Sequence, residues 1–437
     1  MVSIRWLLGR ARDARVWRPE HARLLWYQIA RRNAGDAAGV TDHDHLVGAA
    51  RWLERAQDAS DDGGVCGRYS LSDGWTSSYP ETTGYLVPTF LALARELGDD
   101  RFTHRAARCL EFLLAVQLPN GAFPAGEVHE NTIHPSVFNT AQVLCGLAAW
   151  HAATGEPRAL QAAHRAAEWL VSMQDPDGAW RKYVYMGVAA TYSAHASCWV
   201  AELGDHSGVP GYLEAAARHL DWVLQHHDAE TGWFDLAGFS AQDHEARRAL
   251  THTIAYTLWG VLRASEVLGR PEGMAAVNKA ALGLASRLEY SGWLPGVLDH
   301  RWRGRAHYAC LSGNAQMALV WFRLYRHNGS VVMLNAALKA LDLIKRAQPL
   351  SSRDPNIWGG IPGSDPVWGE YLYNAFPNWA AKFFVDALLE KRRTLGQLAK
   401  REQAASPQTW PARSPTCRPN EANSGSGEGD TIRRQSR

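Results

Sequence analysis

The chain of 437 residues has almost no net charge, +2 at neutral pH, so nothing in its charge balance calls for a nucleic acid partner. Cysteine is scarce. The six residues are Cys66, Cys109, Cys145, Cys198, Cys310 and Cys417. No two form a C-x-x-C pair, and most sit in apolar helical patterns, which implies buried free thiols in a reducing compartment. No apolar run approaches the ~18 residues that a membrane span requires. The first residues also lack the charged, apolar and cleavage segments of a secretory signal. A cytoplasmic protein is expected. There is no P-loop, no strand followed by G-x-G-x-x-G, no H-E-x-x-H and no serine nucleophile elbow, and no cofactor or metal is implied.

What the chain does have is a repeated helix start. Ser78-Tyr79-Pro80-Glu81-Thr82-Thr83-Gly84-Tyr85 ends a glycine-rich loop and opens an apolar helix. Five later segments repeat the arrangement: Phe138-Asn139-Thr140, Thr191 to His195, Leu250 to Thr253, Leu311 to Asn314, and Tyr373 to Phe376. A helix start is rich in free N–H donors and carries the positive end of the helix dipole. These six starts are expected to form the polar rim or floor of one shared cavity.

Between them, apolar residues at helical spacing predict pairs of helices. One pair is Asn139–Thr154 with Arg158–Met173. Others are Tyr192–Leu203 with Tyr212–Gln225, Thr253–Leu268 with Gly273–Leu288, and Gly313–His327 with Val331–Arg346. Turn glycines Gly121, Gly178, Gly232, Gly292 and Gly359 recur every ~55–65 residues, a period of stacked supersecondary units. The helix from Leu46 has no partner before it, and the helix from Asn374 to Lys391 has none after it. The two complete each other if the array closes. The predicted fold is all-α, an (α/α)6 toroid of six inner and six outer helices over residues 42–393. Closure also removes any need for polar end caps. Residues 1–33 form a basic amphipathic extension that packs across the main domain or lies on an anionic membrane surface. Residues 403–437 are rich in Ser, Pro, Gly, Arg and Glu and are expected to be disordered.

The turns Gln117-x-x-x-Gly121-x-Phe123 and Gln174-x-x-x-Gly178-x-Trp180 resemble the Q-W repeats of squalene cyclases, in the terpenoid cyclase and prenyltransferase toroid superfamily. The resemblance covers the fold from about Asp42 to Lys391. The D-x-D-D acid motif of class II cyclases is missing, so the cyclase activity is not implied. Protein prenyltransferases and lanthionine cyclases in this group bind zinc. Cys198 and Cys310 lie near His195 and His307 in sequence, but the flanking motifs of those families are absent. The segments Tyr79–Tyr85, Leu250–Tyr256, Gly359–Ser364, Trp368-Gly369 and Pro377–Phe384 are similar to bacterial proteins of exopolysaccharide and capsule biosynthesis. That resemblance implies a glycan or lipid-linked oligosaccharide as partner. Its toroid is also similar to those of polysaccharide lyases, uronate epimerases and glycosidases.

Removing the proton alpha to a uronate carboxylate needs a base on one face and stabilisation of the resulting charge. Glu81, His195, His252, Tyr192 and Tyr373 are the candidate acid–base residues. Tyr79, Asn139, Asn314, Asn374 and Arg181 are candidates for holding the substrate. Trp75, Trp293, Trp358 and Trp368 are candidates for stacking on sugar rings, although loop tryptophans also pack loops onto a core. Asn139, Asn374 and the hydroxyls at the other starts equally suit N-caps. Glycoside hydrolysis needs a second carboxyl beside Glu81, and Glu127, Asp299 or Glu370 are the candidates. A non-catalytic glycan-binding platform and a polyprenyl-binding cyclase relative are the remaining readings.

Overall fold

The computed structural model describes residue 9 and residues 11–30, 39–128 and 134–405. Among the described residues, those up to Leu395 form one compact unit. Most of the predicted tail, residues 406–437, lies outside the described residues.

Helix α1 spans Pro19–Ala30. Twelve further helices alternate around a ring. The outer set is α2 (Asp42–Asp58), α4 (Arg101–Val116), α6 (Pro157–Ser172), α8 (Pro210–Gln225), α11 (Pro271–Ser291) and α13 (Val331–Ala347). The inner set is α3 (Pro80–Leu97), α5 (Val137–Thr154), α7 (Ala194–Ser207), α10 (Thr251–Leu268), α12 (Leu311–Asn328) and α14 (Asn378–Ala405). A short helix, α9, covers Ala241–Glu245. The fold is the predicted toroid.

Sequence pattern separates the two sets. In α12 every residue from Leu311 to Phe322 is buried, whereas α6 buries one face through Ala159, Ala162, Ala163, Ala166 and Leu170. A helix buried all round belongs inside, and one with a single apolar stripe belongs on the rim. Small residues let the inner helices touch. A Cβ at Gly146 of α5 would lie 2.1 Å from the Gly84 carbonyl oxygen of α3.

The ring closes where Thr89 on α3, the first inner helix, donates to Asp386 on α14, the last, at 2.8 Å, and Arg326 on α12 pairs with Glu390 on the other side of α14 at 2.8 Å. On the rim, Lys345 of α13 pairs with Asp42 of α2 at 3.0 Å.

The two ends of the ring are built differently. Inner helices α3, α5, α7, α10 and α12 each end on a left-handed glycine and turn at once into the next outer helix. Proline then stands at the start of α6, α8 and α11, where its missing N–H has no cost. At the opposite end, outer helices reach inner ones by long loops, such as residues 59–79 and 348–377. Small strands stitch these loops together. Strands β1 (Arg68–Ser70), β2 (Gly74–Trp75) and β7 (Ala375–Pro377) form one antiparallel sheet in the order β2-β1-β7. Strands β3 (Arg248–Leu250) and β4 (Val297–Asp299) form a second, and β5 (Ala309–Cys310) and β6 (Ser364–Asp365) a third.

A glutamine device repeats at the loop end. Gln117 Nε2 donates to the carbonyls of Gly121 and Ala162, and Gln174 Nε2 to those of Gly178 and Ala215. Each amide thus ties its own turn to the next outer helix. Gln57 does the same with Gly63 and Arg105, and Gln348 with Gly359 and His45. Gln348 joins the last outer helix to the first.

One helix boundary differs from expectation. The last inner helix begins at Asn378, not Asn374, because Ala375–Pro377 is paired as β7. Asn374 and Tyr373 are therefore loop residues, and Asn374 has a positive φ of 53°.

Candidate functional site

The inner helix starts converge on the ring axis, and aromatic side chains fill the space between them. Pro80 occupies the first position of α3 and holds Tyr79 extended, at φ −118° and ψ 110°. This turns the half-buried Tyr79 so that its hydroxyl donates to Glu81 Oε2 at 2.7 Å. Glu81 is buried, and loss of water pushes its carboxyl up to about 7 against the opposing effect of the Tyr79 hydrogen bond. Burial and the adjacent Glu81 also raise the Tyr79 phenol well above its ordinary value.

Rings continue around the axis from this pair. The Tyr79 and Trp379 centroids are 6.3 Å apart. Phe138 lies 5.5 Å from Tyr192, 6.1 Å from His195 and 5.0 Å from Tyr256. Tyr256 stands 4.5 Å from both His195 and His252, and His252 is 5.5 Å from Tyr371. His252 Nδ1 donates to Gln316 Oε1 at 2.7 Å, which leaves Nε2 as the basic nitrogen. Burial lowers His252 to about 4, with the Gln316 bond acting the other way. Burial lowers His195 well below its ordinary value, helped by Lys382 and His252. Both imidazoles are neutral at pH 7. His195 Nδ1 is buried without a hydrogen-bond partner among the described residues.

A cavity of about 780 Å³ reaches this cluster from the other end of the ring. Its floor is Tyr85, His195, Gln316, Lys382 and Phe383. Trp199, Trp259, Leu144, Ala148 and Leu319 line the walls, and Arg95, Glu96, His206 and Arg393 border the mouth. From Tyr85 to Arg95 along α3 is ~15 Å at 1.5 Å per residue. Lys382 Nζ pairs with Asp386 at 2.7 Å and lies 4.2 Å from the Phe383 ring centre.

Of the two expectations for the helix starts, a rim or a floor, the rim is corrected: through Tyr85 and His195 they reach the cavity floor. Phe138, from the first turn of α5, and the loop residue Tyr371 turn inward with their neighbours and occupy the end where those starts lie. The loop end instead carries a shallow polar groove of about 490 Å³, bounded by Ser60, Asp62, Trp75, Ser77, Glu127 and Val128.

Glu81, Tyr79, Tyr192, His195 and His252 therefore come together. Asn139 borders Tyr79 and also donates to the Pro124 carbonyl at 2.9 Å, while Ser136 is the actual N-cap of α5. Tyr371, rather than Tyr373, packs on His252 and accepts from Trp379 Nε1 at 2.9 Å.

The remaining candidates stand elsewhere. Arg181 is exposed and bound to Asp175 at 3.0 Å and Asp177 at 2.6 Å, so it braces its own turn. Asn314 is buried and donates to the Cys310 carbonyl at 2.8 Å. Asn374 is buried behind β7. Trp75 donates to Asn356 Oδ1 at 2.9 Å and lies 5.1 Å from Trp52, yet it also edges the polar groove. Trp358 donates to the Leu350 carbonyl at 2.9 Å beneath Arg55. Trp293 and Trp368 are half-buried against the core.

Among the possible second carboxyls, Glu127 is near enough to raise Tyr79 further and is held by Arg68 at 2.9 Å. Asp299 is bound by Arg305 at 2.6 Å, and Glu370 is exposed. Cys198 donates to the His195 carbonyl at 3.2 Å, and Cys310 accepts from Gly313 N at 3.5 Å. Among the described residues, no three His, Cys, Asp or Glu side chains gather as a metal-ligand set. Reasoning from sequence missed Tyr371, Trp379, Gln316 and Lys382. Three of these lie in or beside the segments Trp368-Gly369 and Pro377–Phe384, which had been singled out only as whole stretches.

No protein-family model matches the chain. Copalyl diphosphate synthase of Streptomyces cyslabdanicus is 26% identical over 285 residues, covering 56% of this chain and 50% of that protein. The chain thus spans about half the length of that curated relative. Cellobiose 2-epimerase of Bacillus thermoamylovorans B4167 superposes with a TM-score of 0.64 at 15% identity, over 79% of this chain and 97% of that one. Unsaturated glucuronyl hydrolase of Bacillus sp. GL1 superposes with a TM-score of 0.63 at 13% identity, over 81% and 97%. At these identities the structural likeness is one of fold.

Proposed function

We propose that the protein is a carbohydrate-active enzyme of epimerase or hydrolase type, working by acid–base catalysis at the loop end of the ring. The observation that carries this reading is the Tyr79–Glu81 pair, 2.7 Å apart, with the buried carboxyl raised to about 7. Such a carboxyl is shared between its acid and base forms at neutral pH, which suits proton transfer in either direction. The neutral imidazoles of His252 and His195 supply further proton acceptors, and Tyr192, Tyr256 and Tyr371 supply hydroxyl donors. In epimerisation, one base takes the carbon-bound proton, the electron pair moves onto the adjacent carbonyl oxygen, and an acid on the opposite face returns a proton. In hydrolysis, protonated Glu81 gives its proton to the departing glycosidic oxygen while water attacks the sugar. Glu127 would then be the second carboxylate.

The fold supports this reading, since sugar epimerases and glucuronyl hydrolases use the same ring. The resemblance of segments such as Tyr79–Tyr85 to exopolysaccharide proteins suggests a uronate-containing polymer or its lipid-linked precursor. The test is incubation with uronate-containing oligosaccharides in heavy water, read by NMR. Deuterium at a sugar carbon supports epimerisation, and new reducing ends support hydrolysis. The absence of both across such substrates overturns the proposal.

A second reading is favoured by the cavity. Its walls are largely apolar and include Trp199 and Trp259, which suits an isoprenoid chain, although Glu202, Asp386 and Glu390 also face it, and the relative of partial coverage is a copalyl diphosphate synthase. Quenching of tryptophan fluorescence by a polyprenyl diphosphate, lost in Trp259→Ala, would favour it over the glycan enzyme.

A further inference from the structure

We infer that α1 is an interfacial helix that docks the protein on an anionic lipid bilayer. Its inner face is fastened to the ring. Leu24 is buried, Glu20 Oε2 accepts from Arg353 N at 2.9 Å, and Gln28 Oε1 accepts from Val367 N at 2.6 Å. His21 Nδ1 donates to the Ala14 carbonyl at 2.9 Å.

The outer face is apolar and wet. On α1, Trp26 is 71% exposed and Ile29 53%, and Trp17, in the turn just before the helix, is 64% exposed. Two indoles this open on one short segment are far outside the normal scatter of surface apolar groups. Arg12, Arg18 and Arg23 are exposed beside them.

Charge selects the partner. Residues 1–33 hold eight arginines against Asp13 and Glu20, a formal +6 in a chain whose total is +2. The remainder of the chain is therefore acidic, and the positive charge is concentrated where the tryptophans are. Indoles combined with arginines fit the headgroup layer, where the rings sit at the acyl boundary and the guanidiniums meet lipid phosphates.

Docking also places the site. Gln28 holds Val367, in the loop that continues to Tyr371 and α14, so the docked helix is fixed to the loop end of the ring. The glycan best presented there is one anchored to lipid. This last step rests on the glycan reading above, whereas docking itself does not.

The experiment is co-sedimentation of the full chain with vesicles of phosphatidylcholine, with and without phosphatidylglycerol. Binding to the anionic vesicles only, weakened by salt, is expected. The double variant Trp17→Ser/Trp26→Ser loses at least tenfold in partitioning. Each of Arg12→Gln, Arg18→Gln and Arg23→Gln loses roughly fivefold. Thermal melts establish that the variants are folded. Glu81→Gln binds vesicles like the parent, which separates docking from catalysis. Failure of the parent to sediment with anionic vesicles overturns the proposal, as does unchanged binding in the tryptophan variant. So does a mass by light scattering that falls from dimer to monomer in Trp26→Ser, which would assign the face to a second copy of the chain.

Discussion

The two ends of the ring use the same helices for different ends. At the turn end, α3, α5, α7, α10 and α12 each stop on a glycine and the chain reverses at once, leaving the lumen open. At the loop end, long connections cross between repeats, and side chains from helix starts and loops, such as Phe138 and Tyr371, fill the axis. The turn end gives volume with largely apolar walls. The loop end gives packed, dehydrated polar groups with shifted proton affinities. A toroid thus separates room for a ligand from the conditions for chemistry, and the floor at His195 and Gln316 is where they meet.

The largest expected effect tests which end does the chemistry. Glu81→Gln should lower turnover ~1000-fold with the fold intact. Trp259→Ala, on the cavity wall, should change turnover by less than tenfold. The reverse pattern in steady-state kinetics would move the reaction to the turn end.

Next is a stability contrast. Gln348→Ala strands the buried carbonyls of His45 and Gly359 and removes the acceptor of His45 Nδ1, so it should cost ~3 kcal/mol in urea denaturation. Gly269→Ala, at a left-handed cap with open space around it, should cost only ~1 kcal/mol. Equal costs would mean that the loops do not hold the ring closed.

Protonation sharpens the same contrast. The Glu81 carboxyl goes from an ordinary 4.5 to about 7 on folding, so the folded state binds the proton more tightly. Its contribution is full below pH 4.5 and is lost as pH rises to 7, ~3 kcal/mol in all. His252 goes from 6.5 to about 4, so its contribution is full above pH 6.5 and is lost as pH falls to 4. The two trends oppose each other across nearly the same window. Relative to the parent, Glu81→Gln should gain stability with rising pH, and His252→Gln should gain it with falling pH. Denaturation midpoints at pH 4, 5.5 and 7 check the two signs.

Much of the ring is legible in the chain because burial on all sides and burial on one side leave different apolar patterns. Gln117 and Gln174 stand out because a fixed short spacing separates each from its glycine. Gln57 and Gln348 do the same work, but longer loops separate them from Gly63 and Gly359, which hides the pattern. Glu81, His195 and His252 are legible as a group because each stands near an inner helix start, and ring closure brings such starts together. Tyr371 and Gln316 are not. The first reaches the axis from a loop, and the second from one turn further along its helix. Arg181 shows the converse, a residue suited to a carboxylate substrate whose carboxylates are already at hand in Asp175 and Asp177. Which end stays open depends on how far loops fold inward, and local pattern carries no trace of that.

The bond from Gln348 to His45 joins positions 303 residues apart. A ribosome makes the chain from one end, so the first outer helix waits with an unfilled seam until the last outer helix is released. Trp379 and Lys382 arrive later still, on the final inner helix. Until then the growing molecule is an arc with its inner wall bare to water, prone to clinging to other chains. The proposed reactive centre comes into being only with the final stretch of synthesis, so a chain cut short before Asn378 should be an inert and sticky fragment rather than a weakened version of the whole.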